Sequence, residues 1–192
     1  MKIQARVLNG SIGLKQFCVV TMIFLSAMIY VFCTGGSVAA GGWNDTTVRL
    51  LPDTSFAVVE TAEGGSKTRH CPHHDANGKL DTEQLIYVLG TLSREQWVDA
   101  SQKDVAAKHL EKHYAKLVGK GAKKGELKSP ININTASLTE LVKIPSIGPV
   151  LAVGIMEYRD KKGSFKKAGD IMKVKGIGKR TFEAVEHCVC VK

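Results

Sequence analysis

The amino-acid sequence predicts a mainly α-helical protein in three parts. These are an N-terminal apolar helix (residues 1–40), a small, mostly helical module rich in His and Cys (residues 41–118), and a C-terminal pair of helical hairpins (residues 131–192). Apolar residues recur at helical spacing in the middle and in the last third, and the last third repeats itself at an offset of thirty residues. The composition, 44% hydrophobic and 23% charged over 192 residues, is that of a folded chain.

The N-terminal part has the organisation of a secretory signal. Residues 1–15 carry three Lys or Arg and no acidic residue, residues 16–33 form an uncharged apolar run, and Val38, Ala39 and Ala40 suit a cleavage site. The run is also long enough to span a bilayer, so an uncleaved membrane anchor through residues 16–33 is the alternative to a cleaved signal peptide. In both cases we expect residues 41–192 to be exported from the cytoplasm.

The middle module, residues 41–118, begins with short β-prone pieces and continues with two predicted helices. Asp81 is suited to cap the first of these helices, and Leu85 and Val88 follow it on one face. A second helix is predicted after Ser101, with Leu110 among the apolar residues on one of its sides. No known family is identified for this module.

Histidines are concentrated in the middle module. Five of the six lie there, at His70, His73, His74, His109 and His113. The spacings Cys71-x-x-His74 and His109-x-x-x-His113 offer a thiolate and imidazoles in patterns that zinc accepts in tetrahedral geometry. We therefore expect one structural zinc ion held by Cys71, His74, His109 and His113, with His70 and His73 as substitutes if the register differs.

Two alternatives to this zinc site stay open at the level of sequence. Cys71 can instead pair with Cys188 or Cys190, since disulfides form outside the cytoplasm, and the histidines then face solvent. Residues 73–84 also resemble a calcium loop centred on Gly78, but His73 and Gln84 replace two of its acidic ligands, so a simple turn is the preferred interpretation.

The positive charge of the chain is concentrated at its C-terminal end. The formal net charge is +9. Residues 41–120 hold ten Lys and Arg against eleven Asp and Glu, whereas residues 121–192 hold fourteen against seven. Residues 119–130, rich in Gly and Lys, are predicted to be a basic linker between the two parts. The basic C-terminal part favours an acidic partner such as nucleic acid.

The repeat in the C-terminal part predicts two helical hairpins of the same design. Its offset matches Leu141 with Ile171, Ile144 with Val174, Ile147 with Ile177, and Gly148 with Gly178. Each copy consists of a short apolar-periodic helix, a tight turn that contains glycine, and a second helix. One hairpin cannot bury its apolar face alone, but two hairpins packed together form a small core.

The second hairpin has the chemistry of a phosphate site. Gly176 and Gly178 flank Ile177, and Lys179 and Arg180 follow at once. Glycine allows a turn with positive φ, and the N–H groups at the start of the next helix have no intrahelical partner. These amides and the adjacent cations suit an anion such as a nucleic-acid phosphate, while the isoleucine between the glycines is expected to point into the core.

Four stretches together carry a resemblance to a known family. They are Asn132-x-Asn134-Thr135-Ala136, Ile147-Gly148-Pro149, Glu157-Tyr158-Arg159 and "GSFKKAGDIMKVKGIGKRT", residues 163–181. They make the last third similar to the tandem helix-hairpin-helix domain of the ComEA family, the exported DNA receptors of bacterial transformation. The resemblance implies sequence-independent binding of double-stranded DNA through its phosphate backbone, a role in competence and DNA uptake, and a location in the periplasm or at the outer face of the inner membrane.

The resemblance also implies which residues contact DNA and which do not. The positions expected to bind are Ile147, Gly148, Lys175, Gly176, Ile177, Gly178, Lys179 and Arg180. Ser146 stands where the family usually has glycine, and serine tolerates positive φ poorly, so we expect the first hairpin to be structural and the second to be the main contact.

Two further conclusions concern function classes. The sequence has no nucleophile elbow, phosphate loop or paired-carboxylate signature, so it predicts a binding protein rather than an enzyme. The alternative to DNA binding is a structural or protein-interaction module that uses the same hairpin fold without DNA and carries a metal-binding module before it.

Overall fold

The computed structural model describes residues 43–120, 127 and 129–192, all of which belong to one compact unit, Val38–Lys192. The predicted signal or anchor lies outside the described residues, as do residues 121–126 and 128 of the predicted linker. Within the described ranges, no helix has both the length and the apolarity required to cross a bilayer.

The middle module combines helices with one β-hairpin. Its elements are helix α1 (Asp45–Arg49), strands β1 (Phe56–Thr61) and β2 (Lys67–Pro72), helix α2 (Thr82–Thr91) and helix α3 (Gln102–Lys120). Short 3-10 helices occur at Asp53–Ser55 and Leu92–Arg94. Strands β1 and β2 pair antiparallel, with Val58 opposite His70.

Strand β2 is the main difference from the predicted helical module. Strand β1 has the β-branched and aromatic residues that favour a strand, but β2 reads Lys-Thr-Arg-His-Cys-Pro, and its first three residues are exposed. The sequence of β2 therefore has no apolar alternation from which a strand could be predicted. It is a strand because its backbone pairs with β1. The turn between the strands uses positive φ at Gly64 and Gly65.

Helix α2 begins as predicted and packs on both sides. The Asp81 carboxylate accepts a hydrogen bond from Gln84 N (2.9 Å), which satisfies one of the free amides of the first turn. Leu85 and Val88 lie in the core of the middle module. Ile86, on a different face of the same helix, lies in the core of the hairpins. One helix therefore serves two apolar clusters.

The predicted pair of helical hairpins is confirmed. The elements are strand β3 (Ile131–Asn132), helices α4 (Leu138–Leu141) and α5 (Pro149–Lys162), a 3-10 helix (Ala168–Lys173), helix α6 (Lys179–Val185), a 3-10 turn (Glu186–Cys188) and strand β4 (Val189–Cys190). The repeat residues Leu141, Ile144, Ile171 and Val174 are all buried. The sequence did not predict the parallel pairing of β3 with β4, which joins the two ends of the hairpin domain.

The middle module is attached to the hairpin domain by a carboxylate and a glycine. Glu83 accepts hydrogen bonds from Leu138 N (2.9 Å) and Thr139 N (3.1 Å), and so caps helix α4 from outside its own domain. Gly90 of α2 allows a close approach to α5, because a Cβ at this position would lie 2.7 Å from the carbonyl oxygen of Pro149. These contacts hold α2 beside the first hairpin.

Candidate nucleic-acid interface and histidine cluster

The turns of the two hairpins have nearly the same backbone. Ile147 N donates to Ile144 O (3.1 Å) in the first, and Ile177 N donates to Val174 O (3.0 Å) in the second. Both isoleucines are buried. Gly148 and Gly178 have φ of −94° and −93°, each with ψ of −177°, so the following helices α5 and α6 start from the same geometry.

Of the two glycines that flank Ile177, the first adopts the positive φ of the turn and the second does not. Ser146 has φ +63° and Gly176 has φ +94°, whereas Gly178 is in the ordinary extended region. Serine therefore does adopt the left-handed conformation in the first hairpin, although serine tolerates positive φ poorly. Gly178 therefore carries no backbone strain, because any residue can adopt its extended conformation.

The two hairpins differ in what surrounds their turns. In the second, Lys175, Gly176, Gly178, Lys179 and Arg180 are all exposed. The ion pair of Lys179 with Glu183 spans 3.8 Å between two exposed side chains and is therefore weak. The second turn thus presents backbone and cations together to solvent.

The first turn opens into a cleft against the middle module instead. The cleft has a volume of about 600 Å³. The residues that line it are Thr82, Tyr114, Leu117, Val118, Thr139, Val142, Lys143 and Ser146 to Pro149. Lys143 is the only cation in this lining, and Pro149 and Val150 occupy the positions that hold Lys179 and Arg180 in the second hairpin.

A basic groove runs beside the second hairpin. It has a volume of about 550 Å³, and its cations are Arg94, Lys161, Lys162, Lys173 and Lys175. Glu157 pairs with Arg94 and lies 3.4 Å from Lys161, while Asp170 lies 3.0 Å from Lys173. The hydrogen bond from Lys173 holds the pKa of the Asp170 carboxyl below its usual value. Sequence reasoning missed Arg94, because only the packing of α2 on α5 brings it to this groove.

The histidine cluster brings together part of the predicted zinc site and one substitute. The ligand atoms of His73, His109 and His113 all lie within 4.8 Å of one another, so this group could hold a metal ion. His73 Nε2 and His109 Nε2 are 2.9 Å apart. The His73 Nδ1–H donates to the carbonyl oxygen of Cys71 (2.9 Å), which leaves the lone pair of Nε2 directed at the other two imidazoles.

Cys71 does not join this group, which corrects the predicted ligand set. Its side chain is buried in the apolar cluster with Leu85, Val88 and Leu110. Burial raises the pKa of the Cys71 thiol to about 12, so the thiolate that a metal requires is disfavoured. Cys71, Cys188 and Cys190 are free thiols among the described residues.

His74 lies beside the cluster without joining it. Its ring centroid is 4.3 Å from that of His73 and 5.1 Å from that of His113. Burial lowers the pKa of His73 to about 4, and burial together with neighbouring imidazoles lowers the pKa of His109 and His113. The rings of the cluster are therefore neutral near pH 7.

His70, the other proposed substitute, has a structural role. Its Nε2 lies 2.6 Å from the Glu60 carboxylate, its Nδ1 lies 3.0 Å from the Glu95 carboxylate, and its ring stacks on Trp97. Although burial alone would raise the pKa of Glu60, hydrogen bonds from the backbone of Asp99 and Val98 and from His70 hold it below its usual value. Both nitrogens of His70 are occupied by carboxylates.

The fold and the family comparison agree on the class of the C-terminal part. Residues 127–190 match the family model described as "Helix-hairpin-helix motif", so this part is a helix-hairpin-helix domain. The predicted resemblance is confirmed by a relative, ComE operon protein 1 of Bacillus subtilis. It is 45% identical over 62 residues, which are 32% of this chain and 30% of the relative.

Two other relatives match the same part. An uncharacterised protein of Haemophilus influenzae is 44% identical over 54 residues, 28% of this chain and 48% of the relative. Endonuclease/exonuclease/phosphatase family domain-containing protein 1 of Danio rerio is 43% identical over 61 residues, 32% of this chain but only 11% of the relative. The chain therefore aligns with less than half the length of each of these relatives. No solved structure matches the chain significantly.

Proposed function

We propose that this protein is an exported, sequence-independent binder of duplex DNA with a competence-type role in DNA uptake. It would act from the periplasm or from the outer face of the inner membrane, without catalysing a reaction. The similarity to ComE operon protein 1 supports the role, and the predicted secretory signal supports the export. The alignments with the endonuclease/exonuclease/phosphatase relative support no enzyme, because they are confined to the hairpin segment.

One observation carries the DNA proposal: the turn of the second hairpin presents exposed glycines to solvent and carries exposed cations on both sides. Lys175 precedes Gly176, and Lys179 and Arg180 follow Gly178, all of them exposed. The turn also borders the basic groove, which continues the positive surface towards Lys162 and Arg94. A polyanion bound at the turn can therefore also contact the cations that line the groove.

The chemistry of this surface explains why no sequence preference is expected. Backbone N–H groups at Gly176 and Gly178 and the charges of Lys179 and Arg180 suit phosphate oxygens, which carry no sequence information. Within the first hairpin, Ile147 and Gly148 offer a similar backbone without equivalent cations. We therefore propose the second hairpin as the main contact and the first as a weaker, backbone-only contact.

A second candidate function rests on the first hairpin. Its turn faces a cleft whose wall includes Tyr114, Leu117 and Val118 of helix α3. Such an apolar wall beside a turn also suits a protein-interaction module that uses the hairpins as a scaffold. The two functions differ in their response to salt, because only phosphate binding releases a large number of counterions.

The test is a salt titration of DNA binding by the full-length protein, with two 30-base-pair duplexes of unrelated sequence. The double variant Lys179→Ala/Arg180→Ala is compared with Lys108→Ala/Lys112→Ala, which removes two exposed cations from α3. We expect equal affinity for both duplexes and a roughly 10–100-fold loss in the hairpin variant. Its salt slope should fall by up to about two units, since each lost phosphate contact removes about 0.9.

Two outcomes would contradict the proposal. Binding that is absent at low salt, or that does not respond to salt, favours the scaffold function. Equal losses in the hairpin variant and in the α3 control would mean that DNA responds to overall charge rather than to this turn.

A further inference from the structure

We propose that His73, His109 and His113 bind one divalent transition-metal ion, with zinc as the natural occupant, and leave one coordination position open to solvent. Zinc was predicted for this module from sequence, but with Cys71 and His74 in place of His73. The proposal concerns the middle module and does not depend on DNA binding.

The geometry of the three imidazoles fits a single ion. His73 directly follows strand β2, and His109 and His113 lie one turn apart on α3, so two elements supply the ligands. Two nitrogens bound to one tetrahedral zinc ion at about 2.0–2.1 Å lie roughly 3.3 Å apart. The distance of 2.9 Å between His73 Nε2 and His109 Nε2 needs to open by a few tenths of an ångström, and the other separations, which are at most 4.8 Å, need to close by up to about 1.5 Å through side-chain rotation.

The surroundings of His73 set its tautomer for metal binding. Its Nδ1–H donates to the carbonyl of Cys71, the usual second partner of a metal-binding imidazole. Cys71 has φ +56°, an uncommon conformation for a residue other than glycine. The strained residue thus contributes its carbonyl oxygen, not its sulfur, to the site.

A simple hydrogen bond between His73 and His109 is the competing explanation of the short distance. It would use only two of the three rings and would give His113 no part in the cluster, although its ring lies 4.8 Å from that of His109 and 5.3 Å from that of His73. A metal ion engages all three rings at once.

The fourth position faces water. His73 is fully buried, whereas His109 is exposed and His113 is partly exposed, so the ion would lie where the buried and exposed sides of the cluster meet. Among the described residues, the group of ligand atoms within 4.8 Å contains neither a thiol nor a carboxylate. Three imidazoles with an open position accept water or a small anion as the fourth ligand.

An ion at this position would link distant parts of the module. His73 and His109 are 36 residues apart in sequence, at the end of the β-hairpin and in the middle of α3. Because the unfolded chain has no preformed site, metal binding stabilises the folded module. At a free zinc concentration 100 times the dissociation constant, the midpoint of thermal unfolding should rise by roughly 5–10 °C.

The experiment is a titration of the full-length, metal-free protein with Co²⁺ and with Zn²⁺. Co²⁺ binding is followed by visible absorption, and Zn²⁺ binding by calorimetry and thermal unfolding. The main variant is His109→Ala, because His109 is exposed and its removal leaves the core intact. His113→Ala is the second variant, and His74→Ala and His187→Ala are the matched controls.

We expect one ion per chain and an absorption typical of tetrahedral Co²⁺ without a thiolate charge-transfer band. His109→Ala and His113→Ala should each weaken binding at least 100-fold and abolish the thermal shift, while the two controls keep the wild-type affinity and the wild-type thermal shift. The proposal is overturned if the wild-type protein binds no metal at millimolar concentration. It is equally overturned if His74→Ala loses the ion as completely as His109→Ala does.

Discussion

The two hairpins have nearly the same backbone conformation at their turns, but the turns differ in their charge and in their exposure to solvent. Both turns have a buried isoleucine, a residue with positive φ before it, and an extended glycine after it. Glu140 and Asp170 occupy equivalent positions in the repeat. The Glu140 carboxylate accepts a hydrogen bond from Ser137 N, and the Asp170 carboxylate accepts hydrogen bonds from Lys166 N and Lys167 N. Around this shared frame, the first turn faces the middle module, and the second faces solvent with three cations.

The comparison separates what the motif requires from what its function requires. Both copies have a buried isoleucine, a residue with positive φ before it, and an acidic side chain that accepts hydrogen bonds from amides at the start of the hairpin. These three features are what the motif requires. Charge is not part of the frame, because the first copy has Pro149 and Val150 where the second has Lys179 and Arg180. A helix-hairpin-helix match alone therefore does not locate a DNA contact.

The largest effect is expected from Gly176→Val, which attacks the frame of the second hairpin. Gly176 has φ +94°, and a Cβ there would lie 2.9 Å from Leu151 Cδ2. A β-branched side chain would meet both the strained backbone and this contact, so we expect a loss of about 2–4 kcal/mol in the free energy of unfolding, measured in urea.

Gly178→Ala is the matched control for this variant. Gly178 has φ −93°, and a Cβ there has nothing within 4 Å. Its stability should change by less than about 0.5 kcal/mol. If Gly178→Ala is as damaging as Gly176→Val, then the assignment of the left-handed position to Gly176 is wrong.

A second variant, Gly90→Ala, tests the support that the first hairpin receives from the middle module. The new Cβ would lie 2.5 Å from Val153 Cγ2 and 2.7 Å from the carbonyl oxygen of Pro149, and the latter is backbone that cannot rotate away. We expect a destabilisation of about 1–3 kcal/mol by urea unfolding.

The DNA affinity of Gly90→Ala tests whether the two hairpins contribute unequally to DNA binding. If the second hairpin is the main contact, the folded variant should bind DNA within about threefold of the wild type, since its cations are unchanged. A loss as large as that of Lys179→Ala/Arg180→Ala would show that the supported first hairpin matters equally.

The smallest expected effect comes from Ser146→Gly in the first hairpin. Serine in the left-handed region costs about 1–2 kcal/mol, while glycine loses roughly 0.5–1 kcal/mol more entropy on folding. The net result should be a stabilisation of about 0.5 kcal/mol, with Ser146→Ala as the variant that keeps the strain. Destabilisation by glycine would mean that the Ser146 side chain makes a contact worth more than the strain.

The hairpin domain could be predicted from the sequence because its signals are local. The thirty-residue repeat gave the paired positions, and the buried isoleucines and leucines followed from it. The position of the left-handed residue did not follow, because two glycines flank Ile177 and the sequence does not distinguish them. Only the dihedral angles at Ser146 and Gly176 resolve this.

The middle module was harder to predict because its secondary structure and its histidine cluster depend on contacts between residues that are distant in sequence. Strand β2 is polar and is defined only by its partner β1. The histidines at 73 and 74 are adjacent in sequence, and which of them faces His109 depends on the path of the chain after Pro72. The thiol of Cys71 is a typical metal ligand, yet Leu85 and Leu110 pack around this side chain, so its sulfur lies in an apolar core.

Glu83 has a consequence for limited proteolysis and for recombination of this domain. Its carboxylate satisfies the first amides of α4, while Ile86 of the same helix fills the core beneath the hairpins. A nick between α3 and β3 would therefore leave two fragments still bound to each other through noncovalent contacts. Conversely, a hairpin segment transplanted into another protein without α2 would keep the Ser137 cap of α4 but would lose the Glu83 acceptor and the cover that Ile86 gives to its core.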